Sequence, residues 1–148
     1  MLEKLFRQGS IPTLEKGISF TAQRHKVLAN NIANADTVFY RAQDLPVEEF
    51  RKTLSRSIEA RRRDPVGVFR WDGDSRMPES SLGGIEVEAA KVRGRRSTRG
   101  ALRHDKNNVS VELEMAKLGQ NSMLHTVMLD LLRKKFRAID GALSERVE

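Results

Sequence analysis

The chain has 148 residues and a net charge of +7, with only 5% aromatic against 32% charged residues. This length allows one ordinary domain, and the shortage of aromatic side chains leaves little material for a compact globular core. The absence of cysteine excludes disulfides, thiolate catalysis and cysteine-bound metals.

The positive charge is concentrated in the middle of the chain. Residues 51–106 hold 15 basic and eight acidic residues, whereas residues 1–50 and 107–148 each hold six of either sign. The N-terminal residues lack the apolar core and cleavage site of a secretory signal. No apolar run approaches the roughly 20 residues that span a bilayer. We therefore expect a soluble chain, or one exported without a cleaved signal.

The first predicted element is a long helix from Pro12 to Ala35. Proline suits the first turn of a helix, where its missing N–H costs nothing. Eight positions follow a 3-4-3-4 spacing and most are apolar, which is typical of a coiled-coil seam. They are Ile11, Leu14, Ile18, Thr21, His25, Leu28, Ile32 and Ala35. We expect the helix to end near Asp36.

Two further faces run along the end of this helix. The small residues Ala22, Ala29 and Ala33 form a stripe where another backbone could come close. The third face is a row of amides, which consists of Asn30, Asn31 and Asn34. Asparagine disfavours a helix because its side chain competes for nearby backbone groups. Contacts other than helix propensity must therefore hold this row in place.

The middle of the chain, residues 42–106, is predicted to be variable, basic and loop-rich. A helical pattern begins near Pro46 and ends at Arg61–Arg63. Residues 65–106 contain six glycines and two prolines without a sustained helical period. Short strands are predicted at 66–71 and 85–87, so this region can hold a short hairpin.

The strongest periodicity in the chain lies in its C-terminal part. Ten positions keep an unbroken 4-3-4-3 spacing and eight of them are apolar. They are Val111, Met115, Leu118, Ser122, His125, Leu129, Leu132, Phe136, Ile139 and Leu143. Ser110 is predicted as the N-cap, followed by acidic residues in the first turn. A helix of about 50 Å without an internal stop points to a coiled coil.

Two stretches of the chain resemble a known family. Residues 28–37, followed by Tyr40, Arg41 and Ala42, resemble the N-terminal motif of bacterial flagellar rod and hook proteins. Residues 107–109, 114–118 and 131–136 resemble the C-terminal helix of the proximal rod members, the FlgB-type proteins. The resemblance covers about residues 1–50 and 104–143.

One segment departs from this family's pattern. The family usually has Thr-Pro-Gly-Tyr where this chain has Thr37-Val38-Phe39-Tyr40. Loss of proline removes a fixed φ, and loss of glycine removes the easy route to positive φ. Two alternatives follow: the turn forms with different dihedral angles, or Phe39 packs its ring against a neighbour.

The resemblance implies an all-α fold in which the N- and C-terminal helices pair as an antiparallel coiled coil. It implies a structural subunit of the proximal rod of the flagellar basal body, a helical tube in the periplasm that transmits torque and surrounds the export channel. The implied partners are other copies, other rod proteins, the rod–MS-ring junction protein, the MS ring and the type III export apparatus. The family has no catalytic residues and no cofactor, and no direct membrane span is expected.

The predicted organisation is a rod helix with its Asn-rich motif in 1–41, the variable region in 42–106 and a coiled-coil helix in 107–148. The residues predicted to act in assembly are Ala22, Leu28, Ala29, Asn30, Asn31, Ile32, Ala33, Asn34, Thr37, Tyr40, Leu118, Leu129, Leu132, Phe136 and Ile139. The large apolar ones are expected to pair within the chain. The alanines and asparagines are expected to meet other subunits, and the amide row to complete its hydrogen bonds only in the assembled tube.

Two other classes of protein compete with this interpretation. Arg61–Arg63 and the arginines at 93, 95, 96, 99 and 103 could neutralise phosphates, as in a nucleic-acid-binding protein. No stacking aromatics are interleaved with them, however. A coiled-coil export adaptor or chaperone is the other alternative. The seam histidines His25 and His125 are interpreted as hydrogen-bonding to the partner helix, because no close spacing with carboxylates supports a metal site.

Overall fold

The computed structural model describes residues 10–65, 67–71, 95–96 and 106–144, which form three helices and one short ladder. Helix α1 spans Ile11–Ala33, α2 spans Val47–Arg63 and α3 spans Val111–Ser144. Strand β1, Gln43–Asp44, pairs antiparallel with β2, Arg95–Arg96. No helix in these ranges is long and apolar enough to cross a membrane.

Several predictions for the middle of the chain fall outside these ranges. They concern the strand at 85–87, Val66 at the start of the other predicted strand, and the arginines at 93, 99 and 103. Within 67–71, Val68 is a single bridge residue and the other four residues are not in a strand.

Helix α1 begins as predicted and ends slightly early. Pro12 lies in the first turn, and the amide N–H of Leu14 donates to the carbonyl of Ser10 at 3.0 Å. The helix ends at Ala33 rather than Ala35, because the following amides bond to carbonyls three residues back: the N–H of Ala35 donates to Ile32 at 3.2 Å and that of Thr37 to Asn34 at 3.1 Å.

Helices α1 and α3 pack against each other in antiparallel directions. Met128 lies against Gly17, His125 against Thr21 and, at the other end, Glu114 against Asn31. The predicted all-α pair of long terminal helices is therefore confirmed. Helix α3, with 34 residues, is about 50 Å long at 1.5 Å per residue.

The seam between the two helices is more polar than its predicted pattern. Asn31, Glu114 and Asn121 are buried in it, whereas the prediction is wrong for three exposed seam positions, which are His25, Met115 at 56% and Leu143 at 49% exposure. A straight helix drifts by about 20° per heptad relative to a 3.5-residue repeat, so one heptad register cannot stay in the interface throughout. At the start of α3 the buried position therefore belongs to Glu114.

Helix α2 packs on the outer side of α1 through aromatic rings. Phe50 stacks on Phe20 with 4.0 Å between ring centroids and 8° between planes. Trp71 lies 5.7 Å from Phe50, and Leu45 completes the buried cluster. The last turn of α2 carries Arg61–Arg63, whose charges favour the negative end of the helix dipole. The predicted start and end of this helix are confirmed.

Candidate assembly surfaces

The side chain of Asn31 uses all of its hydrogen-bonding capacity within the chain. It is fully buried, and its Nδ2 donates to the carbonyl of Gln43 at 2.6 Å and to Glu114 Oε2 at 2.7 Å. Its Oδ1 accepts from the amide N–H of Gln43 and from Tyr40 Oη, both at 3.0 Å. The amide therefore pairs with the Gln43 backbone as a neighbouring strand would, and it joins helix α1, the β1 segment and helix α3.

A chain of ion pairs extends this contact across the helix pair. Lys117 Nζ lies 2.7 Å from Glu114 Oε1 and 3.7 Å from Asp44 Oδ2. Arg24 donates both Nε and Nη2 to the same Asp44 carboxylate, at 2.9 and 3.0 Å. The buried Glu114 carboxylate is thus paired with a cation and hydrogen-bonded, which a buried charge requires.

A second clamp holds the turn that follows α1. Asn107 is fully buried, and its Nδ2 lies within 3.1 Å of the carbonyls of Asn34, Ala35 and Thr37. Asn108 Oδ1 accepts from the amide N–H of Ala42 at 2.8 Å. The residues just before α3 therefore fix the exit of α1, which gives this junction one defined geometry.

The amide row was predicted to complete its hydrogen bonds only in the assembled tube. This prediction is wrong for Asn31, and its two neighbours in the row also form hydrogen bonds within the chain. Asn31 faces inward, because three different segments of its own chain offer partners there. Asn30 and Asn34 lie nearer the surface and also bond locally. Asn34 Nδ2 donates to the carbonyl of Asn30 at 2.8 Å, and Asn30 Nδ2 lies 3.3 Å from Tyr40 Oη. The amides of the row therefore already have hydrogen-bond partners in the single chain.

The other predicted assembly residues divide into an inner and an outer group. Leu28 is completely buried. The half-buried members are Ala22, Ile32, Asn34, Tyr40, Leu118, Leu129, Leu132, Phe136 and Ile139. The exposed members are Ala29, Asn30, Ala33 and Thr37. Ala29 and Ala33 thus present a smooth strip of α1 to the outside, while the large apolar residues lie along the helix pair.

The histidines at the seam differ from each other. His125 Nδ1 lies 2.8 Å from Thr21 Oγ1, so the prediction of a hydrogen bond to the partner helix is confirmed there. Asn121 Nδ2 donates to the Thr21 carbonyl at 2.8 Å, next to this contact. His25 is exposed, and its Nδ1 is 3.5 Å from Ser122 Oγ.

Helix α3 carries a second apolar face that points away from α1. Leu124, Val127 and Leu131 follow a 3-4 spacing and are between 45 and 53% exposed. Met128 lies between this face and the seam, where its sulfur approaches Gly17. An exposed contiguous apolar face on a helix usually marks a contact with another protein.

The turn between α1 and β1 has an unusual backbone. Phe39 has φ +63° and its side chain is 68% exposed, next to an exposed Val38. Lys106, which itself has φ +58°, holds its Nζ 5.6 Å from the centre of the Phe39 ring. Left-handed backbone is uncommon for a bulky residue and costs roughly 1–2 kcal/mol.

Comparisons with known proteins find similarity to flagellar rod proteins. The family model described as flagella basal body rod protein matches residues 11–41, which are α1 and the turn after it. The chain is 27% identical over 136 residues to the flagellar basal body rod protein FlgB of Bacillus subtilis, covering 92% of this chain and 94% of that protein. It is also 27% identical over 144 residues to FlgB of Escherichia coli, covering 97% of both chains. The chain is thus similar to flagellar basal body rod proteins over nearly its whole length.

The turn after α1 differs in sequence from the motif that it resembles. The Thr-Pro-Gly-Tyr pattern has glycine where this chain has Phe39, and Phe39 has a positive φ, which glycine adopts easily. The side chain of Asn107 holds this turn by donating to the Thr37 carbonyl.

Two titratable groups in α1 and its exit have shifted pKa values. Burial raises the pKa of Tyr40 above its ordinary value, and the negative charge of Glu114 raises it further. Tyr40 therefore keeps its proton for the bond to Asn31 well above neutral pH. Burial also raises the pKa of Glu15, an effect that the adjacent Lys16 partly offsets.

The residues that organise this junction were mostly not among the predicted assembly residues. Glu114, Asn107 and Asp44 act through partners that are 83, 70–73 and 20 residues away in the chain. One signal was present in the sequence for Glu114: it lies on the same side of α3 as Leu118 and Asn121, four and seven residues later. A charge on a seam face implies a buried partner on the facing helix.

Proposed function

We propose that this chain is a structural subunit of the proximal rod of the bacterial flagellar basal body, with no catalytic role. The observation that carries the proposal is the similarity to FlgB proteins over nearly the whole of both chains. The helix pair supports it, because a rod that transmits torque gains stiffness from long helices held in one register. The polar clamps around Asn31 and Asn107 supply such a register, since each accepts only one alignment.

The division of labour between surfaces is part of this proposal. The large apolar residues of α1 and α3 would hold the two helices of one chain together. They are Leu28, Ile32, Leu118, Leu129, Leu132, Phe136 and Ile139. The exposed small strip of Ala29 and Ala33, continued by Ala22, would meet a helix of another subunit at close approach. Asn30, Asn34 and Thr37 lie beside this strip with polar atoms at or near the surface, so they would line the same contact.

The proposed setting follows from the family. The chain would pack with other copies and other rod proteins into a helical tube around the export channel, near the MS ring and its junction protein. It would lie in the periplasm and leave the cell through the flagellar type III export apparatus without a cleaved signal. The three-part division at residues 1–41, 42–106 and 107–148 is proposed on the same basis.

Localisation in isolated basal bodies tests the function directly. A strain lacking the natural gene would be complemented with an epitope-tagged copy, and its basal bodies labelled with a gold-conjugated antibody. We expect label at the rod close to the MS ring, and neither rod nor filament in the uncomplemented strain. Complete, motile flagella without the chain would refute the proposal.

The role of the small strip is tested at one position. Ala29→Leu adds a large side chain to an exposed face, so the folded monomer should keep its stability within about 0.5 kcal/mol. At a close helix contact the same side chain overpacks, and rod assembly should fail. Ala29→Ser is the matched control, because it keeps the volume small and should leave motility intact. Normal motility of Ala29→Leu would remove this face from the interface.

A further inference from the structure

Phe39 combines a strained backbone with a side chain that is mostly exposed. Its backbone has φ +63°, a conformation that favours glycine, and 68% of the side chain is exposed. Lys106 lies over one part of the ring at 5.6 Å, but most of the ring meets solvent. Strained residues persist where the surrounding structure enforces them, and they cluster at functional contacts. Here the Asn107 side chain enforces the turn by binding the Thr37 carbonyl.

Helix α3 carries four apolar residues with the spacing of a complementary packing site. Leu124, Val127, Met128 and Leu131 occupy positions i, i+3, i+4 and i+7 of one helix. Four residues with this spacing form the hole that receives a side chain in knobs-into-holes packing. Three of them are about half exposed, so the hole is open toward the outside of the helix pair. Phenylalanine is an apolar knob of suitable size for a hole lined by leucine, valine and methionine.

The hole cannot receive Phe39 of the same chain. The Thr37 carbonyl binds Asn107 immediately before α3, so Phe39 lies at the N-terminal end of that helix. The centre of the hole is more than 16 residues into α3, which corresponds to about 25 Å at 1.5 Å per residue. A knob and a hole at two separate places on one molecule allow a contact that repeats from copy to copy and does not close on itself.

We propose that Phe39 of one copy docks into the hole formed by Leu124, Val127, Met128 and Leu131 of a second copy, in a head-to-tail arrangement. The proposal rests on the proposed function, because the rod supplies ordered neighbouring copies. One side chain in one hole buries far less surface area than a standard stable interface, so this contact acts only as one of many in a lattice. Because Phe39 replaces the family's usual glycine, the contact would be a feature of this chain's own rod.

Disulfide crosslinking tests this contact, because the natural chain contains no cysteine. A strain would carry the double variant Phe39→Cys/Val127→Cys as its only copy, and isolated basal bodies would be oxidised and run on a non-reducing gel. The matched control is Phe39→Cys/Thr126→Cys. Thr126 is exposed next to Val127 but points about 100° away around the helix.

The expected result is a ladder of dimers, trimers and higher species, at least tenfold stronger for the Val127 pair than for the Thr126 pair. Equal crosslinking, or none in basal bodies that contain the chain, would overturn the contact while leaving the proposed function intact. A closed dimer as the sole product would overturn the head-to-tail arrangement. Crosslinks to a different rod protein would overturn the claim that the partner of Phe39 is a second copy of this chain.

A second variant tests the same contact if the double cysteine variant does not assemble into the rod. Incorporation of p-benzoylphenylalanine at position 39 keeps an aromatic ring in the knob. Irradiated basal bodies should then give crosslinked peptides that contain residues 124–131 of another copy, and crosslinks elsewhere would refute the proposal. Absence of the chain from wild-type basal bodies would refute the proposed function and this inference together.

Discussion

Replacement of Asn31 by alanine should remove a large part of the stability of the helix pair. The variant leaves the Gln43 backbone, Tyr40 Oη and the Glu114 carboxylate without the partner that each has in the natural chain. A neutral hydrogen bond contributes about 1 kcal/mol and one to a charged group about 2 kcal/mol. Water can reach part of the exposed Gln43, so the expected loss is about 3 kcal/mol rather than the full sum.

Urea unfolding followed by circular dichroism at 222 nm measures this loss. With a slope near 2 kcal/mol per M, the unfolding midpoint should fall by about 1.5 M. Asn30→Ala is the matched control, because Asn30 is the adjacent helix residue and is exposed, and its side chain makes two long contacts, at 3.3 Å with Tyr40 Oη and at 3.2 Å with Asn34 Nδ2. Its midpoint should move by less than a quarter as much. If the two variants unfold within 0.5 M of each other, the assignment of Asn31 as the central clamp is refuted.

Three further predictions address the backbone, the helix contact and the buried phenol. Phe39→Gly relieves a left-handed backbone and should raise the melting temperature by about 3 °C, whereas a lower melting temperature would contradict the strain. Gly119→Ala should add about 1 kcal/mol of stability, since a Cβ there meets nothing within 4 Å. Gly17→Ala should add little stability, because its Cβ would lie 2.5 Å from Met128 Sδ. A rise in melting temperature equal to that of Gly119→Ala would refute the close contact. Tyr40 is the only tyrosine, and its absorbance at 295 nm should titrate above pH 10 in the folded chain and nearer 10 in urea. Its proton is lost first in the unfolded chain, so stability should fall as pH rises past 10, and a folded midpoint at or below 10 would contradict its burial.

The periodic parts of the fold could be predicted from the sequence. The unbroken spacing after Val111 predicted α3 almost to its last residue, and Pro12 marked the first turn of α1. Both signals are local, because helix start residues and an apolar repeat act within a few turns. The family motif in residues 28–37 then pointed to the antiparallel pair.

The polar clamps could not be predicted in the same way. A buried Asn31 or Glu114 is favourable only when its partner is present, and those partners lie on other segments of the chain. Before the pairing of the helices is known, an amide row on a wheel looks like a free surface. Asn107 shows the same limit, since its three acceptors become adjacent only after α1 has ended.

The most direct test of the central claim is a helical reconstruction of isolated basal bodies at a resolution that shows side chains. In that map α1 and α3 of each copy should be antiparallel, with Asn31 against Glu114, and the Ala29 and Ala33 strip should pack closely against a helix of a neighbouring subunit. The chain should form the part of the rod next to the MS ring. A rod in which this strip faces solvent, or in which the chain is absent, would contradict the account.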